Sequence, residues 1–404
     1  MFPKLRFKEF DENWKEVTLK NCITSIDSGW SPQCESYPAN SSEWGVLKTT
    51  SVDWSGFNSS FNKKLPLELT PRKEIEVKPL DILVTRAGPT ERVGVVSVVP
   101  HSVRSKLMIS DKLIRLKSNE ENNPLFLGIS LSSVKCQNQL QSKTSGLAKS
   151  QTNISQKILG EVLLKLPSKE EQTKIASFLS AVDEKISQLT KKHELLSQYK
   201  QGMMQKLFSQ QLRFKADDGS EFGEWEDKKL GEISKTFSGG TPQSSNKSFY
   251  EGTIPFIKSG EISKNTTEQC INDLALEKSS AKLVKKGDLL YALYGATSGQ
   301  VAISQIDGAI NQAVLCIRSE LNTKYLLNFL LLKKEEILTT YLQGGQGNLS
   351  ASILKEIYIP TPCLAEQTKI ANFLSAIDQK IEVVAQQIEQ AKQWKKGLLQ
   401  NMFI

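Results

Sequence analysis

The sequence predicts an α+β protein: two mixed α/β domains joined by two long antiparallel coiled-coil helices with pseudo-twofold symmetry. Three observations predict it. A segment of about 60 residues occurs twice, each copy carries heptad-spaced apolar residues, and the segments between them are rich in turns and short β-type runs.

The repeat comes first. Residues 171–186 read EQTKIASFLSAVDEKI and residues 366–381 read EQTKIANFLSAIDQKI. At this offset of 195, 26 of the 59 positions from 151 to 209 are identical to their counterparts, far beyond chance. A second match lies upstream, LRFK at 5–8 and at 212–215. A Trp and then a Leu follow each at equal mutual spacing, Trp14 and Leu19 after the first and Trp225 and Leu230 after the second. The repeat is cyclic in register, so Lys4 and Phe403 are expected near each other.

The matched segments read as helices. In the first copy one heptad set is Ile175, Val182, Leu189, Leu196 and Met203, and the other is Leu179, Ile186, His193, Lys200 and Leu207. The second copy gives Ile370, Ile377, Val384, Ala391 and Leu398, then Leu374, Ile381, Ile388, Lys395 and Met402. About five heptads suffice for a coiled coil. At ~1.5 Å per residue each helix is roughly 55–60 Å long. Ile175, Leu179, Val182, Ile186 and Leu189 of the first helix and Ile370, Leu374, Ile377, Ile381 and Val384 of the second are assigned to helix pairing. Lys200 and Lys395 interrupt both seams; their stems are expected to lie along the seam with the ammonium groups in water. The alternative is a phosphate or partner contact. Gly202 and Gly397, the sole glycines of the two helices, predict close helix approach or a kink.

Short strands are expected at 81–85, 93–99, 113–116, 254–257 and 288–291, in a largely antiparallel sheet, with helices near 124–134 and 323–336. The two domains are related. Ser28-Gly29-Trp30-Ser31-Pro32 parallels Ser238-Gly239-Gly240-Thr241-Pro242, Lys48-Thr49 parallels Lys258-Ser259, and Asp81-Ile82-Leu83 parallels Asp288-Leu289-Leu290. The chain therefore divides into 1–168, 169–211, 212–363 and 364–404, domain and helix alternating. Trp14 and Trp225 are expected to be packing anchors at the start of each domain.

Composition narrows the function. A net charge of +8 and a pI near 8.9 suit a polyanionic partner. Six cysteines without a C-x-x-C pair, and only two histidines, give no zinc signature and point to free thiols in a reducing compartment. The N-terminal residues carry no apolar run of signal length, and the stretch 326–332 is too short to span a bilayer, so a cytoplasmic location is expected. No phosphate-binding glycine loop, H-E-x-x-H or G-x-S-x-G motif occurs, and the Asn-Pro-Pro-aromatic motif of amino-methyltransferases is also absent. No catalytic residue and no metal ligand is assigned.

The alternation of variable domain and repeated helix resembles the specificity subunit of Type I restriction–modification enzymes. The carrying residues are Glu171–Ile186, Glu366–Ile381, the two LRFK…W segments and the paired Ser-Gly-x-x-Pro and Asp-Ile/Leu-Leu motifs. The resemblance covers essentially the whole chain. It implies that 1–168 and 212–363 are target-recognition domains, each reading half of a split, asymmetric sequence in double-stranded DNA. The helices 169–211 and 364–404 would set the spacer and dock two methyltransferase (M) subunits. It also implies motor–nuclease restriction (R) subunits, with S-adenosylmethionine, ATP and Mg on those partners and no cofactor on this chain.

Side chains that match base edges and phosphates, placed on loops, are the DNA-binding candidates. They are Ser31 and Gln33 with Thr241 and Gln243; Lys48 and Thr49 with Lys258 and Ser259; Lys143, Lys149 and Gln151 with Gln343, Gln346 and Asn348; and Arg86 and Arg92 with Tyr294 and Thr297. A coiled-coil scaffold that does not read DNA sequence is the competing expectation, and a nuclease with an unrecognised acidic site is a third.

Overall fold

A computed structural model describes residues 3–144, 152–341 and 349–403. The chain folds as two compact units, Met1–Gln188 with Gln387–Ile404, and Leu189–Gln386. The long helices Lys169–Phe208 and Leu364–Met402 each contribute to both units. The units thus cut each long helix near its middle instead of following the sequence blocks.

In the first unit, a four-stranded antiparallel sheet runs in the order Ile23–Ser28, Leu113–Ser118, Ile82–Thr85, Val96–Val98. Every residue of Ile82–Thr85 is buried because both faces of the sheet are covered. Alternation sends successive side chains to opposite faces. Ile82 and Val84 join a core with Phe126 and Leu127 of the helix Pro124–Leu131, whereas Leu83 joins a second core with Val46, Leu107 and Met108. The second unit repeats the plan with Ser234–Ser238, Val314–Ser319, Leu289–Ala292 and Val301–Ile303. There Leu289 and Tyr291 face the helix Thr323–Tyr341, and Leu290 and Ala292 face the other core.

Two details differ from expectation. Among the described residues each unit holds one parallel pair, Gly45–Leu47 beside Leu107–Met108 and Ile254–Ile257 beside Gly308–Ile310. The first domain's helix also breaks at Ser132–Ser133 and restarts as Val134–Gln141. The Ser133 hydroxyl accepts from the Cys136 N–H there (3.4 Å), so it caps the new helix.

The repeated Glu-Gln pair opens each long helix and ties it to its domain. In the first unit the Arg6 guanidinium donates twice to Glu171, both at 2.7 Å, and the Trp14 indole N–H donates to the same carboxylate at 3.4 Å. In the second unit Arg213 donates to Glu366 at 3.0 and 2.8 Å, and Trp225 at 2.9 Å. Both glutamates are buried. Gln172 accepts from the Asn123 N–H (3.0 Å), and Gln367 from the Asn322 N–H (2.8 Å), each at the start of a domain helix. Trp14 and Trp225 thus combine packing with a hydrogen bond to the helix start.

Ile175, Leu179 and Val182 are buried with Phe126 and Leu127 of their own domain as well as with Leu398 and Met402, and Ile186 packs against the same cluster. In the second unit Ile370, Leu374 and Ile377 share a core with Met204 and Leu207, with Ile381 against it, and Leu189 and Val384 are also buried. The ammonium groups of the seam lysines do not end in water alone, because each meets a carboxylate. Lys200 pairs with Asp378 at 2.6 Å, and Lys395 pairs with Asp183. A Cβ on Gly202 or Gly397 would meet open space, so neither glycine marks a close helix approach. In the first unit the Leu5 N–H donates to the Asn401 carbonyl (2.9 Å), as the Leu212 N–H does to the Lys206 carbonyl (3.1 Å) in the second. The two ends of the chain therefore meet. No helix among the described residues is long and apolar enough to cross a membrane.

Candidate nucleic-acid interface

In each unit the first, second and fourth candidate loop groups gather at one end of the four-stranded sheet. The antiparallel order causes this: the strands Ile23–Ser28 and Ile82–Thr85 end where Leu113–Ser118 begins. Ser31 follows the first of these ends, and its hydroxyl donates to Asp111 in the turn before Leu113. The Arg86 N–H donates to the Lys112 carbonyl of that turn (2.8 Å), and the Ile154 N–H donates to the Arg86 carbonyl (3.0 Å). Thr152–Asn153 pairs with Ala87–Gly88, next to Arg86 of the fourth loop group. Lys143, exposed after Val134–Gln141, lies 4.0 Å from Glu161. Lys149, Gln151, Gln343, Gln346 and Asn348 lie outside the described residues.

The second unit repeats these contacts with other side chains. Thr241 donates to Gln312 at 2.7 Å where Ser31 meets Asp111. The Leu293 N–H donates to the Ala313 carbonyl (2.8 Å), and the Leu349 N–H to the Leu293 carbonyl (3.0 Å). An open cleft of about 410 Å³ unites two of the predicted loop groups. It is lined by Thr241, Ser244, Lys247, Tyr250, Phe256, Lys258, Gln269 and Asn311. Two lysines and no carboxylate line it, so it favours an anionic or acceptor-rich ligand. Gln33 and Gln243 are exposed; Lys48, Thr49, Lys258 and Ser259 are half-buried.

Two predicted residues, Arg92 and Tyr294, have internal work. Arg92 donates to Asp53 (2.5 Å) and to the Val52 (2.8 Å) and Thr49 (3.3 Å) carbonyls, which pins the second loop group to the fourth. Its guanidinium holds the Asp53 carboxyl below the usual carboxylate range. Tyr294 packs its ring against the second unit's core, and burial pushes its hydroxyl pKa up. Thr297 is half-buried, and its hydroxyl has no protein partner among the described residues.

Sequence reasoning missed Asp111, Lys112, Asn311 and Gln312, the turn residues before the inner strands, and Lys247 and Gln269 of the cleft. The turns carried one readable signal: aligned across the two halves, both precede the apolar runs that begin at Leu113 and Val314. The cleft residues carried none, because only tertiary folding brings them to Thr241.

Comparison with known proteins places this geometry. The family model described as Type I restriction modification DNA specificity domain matches twice, at residues 12–197 and 223–393. The chain is 40% identical over 171 residues to the Type I restriction enzyme EcoEI specificity subunit of Escherichia coli, a match covering 42% of this chain and 29% of that one. It is 27% identical over 413 aligned residues to the putative type I restriction enzyme MjaX specificity subunit of Methanocaldococcus jannaschii, covering 98% of this chain and 94% of that one. In fold it resembles the S subunit of a Type I restriction–modification system from M. genitalium, with a TM-score of 0.63, 17% identity and coverage of 100% and 99%. It also resembles a chain from a structure of the type I R-M system in complex assembly, with a TM-score of 0.59, 18% identity and coverage of 96% and 97%. The two matched regions take in both sheets, both loop clusters and most of both long helices; the chain belongs to the Type I restriction modification DNA specificity family.

Proposed function

We propose that the chain is the non-catalytic DNA-recognition subunit of a Type I restriction–modification complex, and that it reads an asymmetric, bipartite target. One observation carries the reading. The two units present equivalent loop clusters whose matched hydrogen bond is Ser31–Asp111 in one and Thr241–Gln312 in the other. A carboxylate offers base edges only acceptors, whereas a carboxamide offers both a donor and an acceptor. Equal frames with unequal chemistry support two different half-sites.

The repeat also supports docking of two like partner subunits. Identity at Ile175/Ile370 or Leu179/Leu374 follows from burial. Identity at the exposed pairs Lys185/Lys380, Glu194/Glu389 and Gln198/Gln393 does not, and a common partner surface accounts for it. Those partners would be methyltransferase subunits that carry S-adenosylmethionine, joined by motor–nuclease subunits that use ATP and Mg.

The test is retention of duplex DNA by this chain assembled with its methyltransferase. The reading expects one sequence to be held against excess competitor DNA at physiological salt. Equal retention of all sequences would favour the scaffold reading, and Mg-dependent cleavage by this chain alone would contradict a non-catalytic role.

A further inference from the structure

The first unit carries an exposed aromatic feature that neither the repeat nor the loop candidates account for. Val52–Asp53 and Gly56–Phe57 form a tight hairpin, with Val52 opposite Phe57 and Asp53 opposite Gly56. Trp54 stands at its tip and is 50% exposed. The hairpin is heavily braced. The Asp53 N–H donates to the Ser97 hydroxyl (3.2 Å), that hydroxyl donates to the Asp53 carbonyl (2.7 Å), and Arg92 grips the Asp53 carboxylate and the Val52 carbonyl. Val52 itself is fully buried. A large apolar ring is therefore held outward on a rigid mount.

Its surroundings indicate the kind of surface it meets. Phe61, 45% exposed, lies on the other side of the Lys48–Thr49 turn, where the Lys48 N–H donates to the Phe61 carbonyl (2.9 Å). Between and around the two rings the exposed residues are Thr50, Ser55, Asn58, Ser60 and Lys63. Protein interfaces centre on contiguous apolar patches, whereas along this segment polar residues and Lys63 separate the two rings. Flat rings beside phosphate-binding groups suit nucleic-acid bases instead. The second unit has no counterpart: residues 258–270 contain no aromatic side chain, and Glu261 closes the loop by accepting from the Lys258 (3.2 Å) and Glu268 (2.8 Å) N–H groups.

We propose that Trp54 is an apolar wedge that the first unit presses between DNA bases, unstacking one base step in the stretch this unit contacts. The proposal rests on the DNA-recognition reading. It makes the two units different in mechanism, the first reading partly through the deformability of its half-site and the second through its cleft.

The test uses the complex with its methyltransferase and duplexes carrying the mapped target, with 2-aminopurine substituted in turn at each adenine. Beyond the target bases that the methyltransferase itself extrudes, wild type is expected to raise the fluorescence at one further position, in one half-site. Trp54→Ala is expected to abolish that rise and weaken binding about ten-fold, while Trp54→Phe keeps both. An unchanged affinity and signal in Trp54→Ala overturns the wedge. So does a loss of binding with the fluorescence rise intact, or a loss of methyltransferase capture in the absence of DNA, which would assign Trp54 to a protein contact. If wild type does not distinguish the target from competitor DNA, the recognition reading fails first.

Discussion

Lys200 pairs with Asp378 at 2.6 Å, and the repeat places the same pair at Lys395 and Asp183. Each lysine sits at a heptad position that apolar residues otherwise hold, so its charge is matched by a carboxylate from the other long helix. Asp378 is half exposed. A pair of this kind contributes roughly 0.2–1 kcal/mol. Lys200→Met should keep the stem's packing and change stability by less than about 1 kcal/mol, while Asp378→Lys should destabilise through like charges. The charge-reversed pair Lys200→Asp with Asp378→Lys should recover much of that loss in a double-mutant cycle. Lys200→Met should also leave the salt dependence of DNA binding unchanged, since the ammonium is paired with the Asp378 carboxylate.

The Arg6–Glu171 pair should be far more sensitive. Both side chains are largely buried, at 10% and 1% exposure. Removing one partner of a buried pair costs about 3–5 kcal/mol because the other charge is left stranded. Arg6→Ala should therefore lower the denaturation midpoint of the first unit, and Arg213→Ala that of the second. Urea titrations followed by hydrogen exchange would resolve the two units. An equal effect of either substitution on both would contradict the assignment.

How much of this could be read from the sequence follows from the same residues. LRFK and EQTKIA are both visible as repeated motifs, yet nothing in either shows that Arg6 meets Glu171 across 165 positions. Central strands such as Leu289–Ala292 are legible because their apolar runs are continuous. The parallel strand Leu107–Met108 is two residues long and has no period to detect. The loop candidates were legible by residue type, but their convergence depends on sheet order, which local pattern does not encode. Arg92 illustrates the limit: a basic residue in a glycine- and proline-punctuated loop reads as a phosphate contact, and Asp53, 39 positions away, claims it.

Gly202 and Gly397 should tolerate alanine. A Cβ at either meets nothing within 4 Å, and neither has a positive φ. Glycine inside a helix costs roughly 0.5–1 kcal/mol relative to alanine. Gly202→Ala and Gly397→Ala should each raise stability by about that amount in denaturant titrations. A loss of stability in either would show that the helix needs glycine's freedom there.

Acid sensitivity should appear at Asp288. Burial pushes its carboxyl pKa up, but hydrogen bonds from Arg318 and from the Lys285 N–H outweigh burial and hold it below the usual carboxylate range. A folded pKa below the unfolded value contributes stability that is present above the unfolded pKa and lost as pH falls through the folded one. Arg318→Gln should thus cost about 1 kcal/mol at pH 7 and much less once the pH has fallen through the folded pKa of Asp288, where wild type has lost the same contribution. An undiminished difference at low pH would assign the effect to packing.

The central claim is that the two loop clusters read different halves of one target. The direct measurement is sequencing of the methylated positions in DNA from cells that express this chain with its methyltransferase, first as wild type and then with Thr241→Ala, Gln243→Ala and Gln312→Ala combined. The account predicts a split, asymmetric methylated sequence in which the substituted chain relaxes or changes one half and leaves the other half and the spacer intact. A symmetric continuous target, or a change in both halves at once, would contradict it.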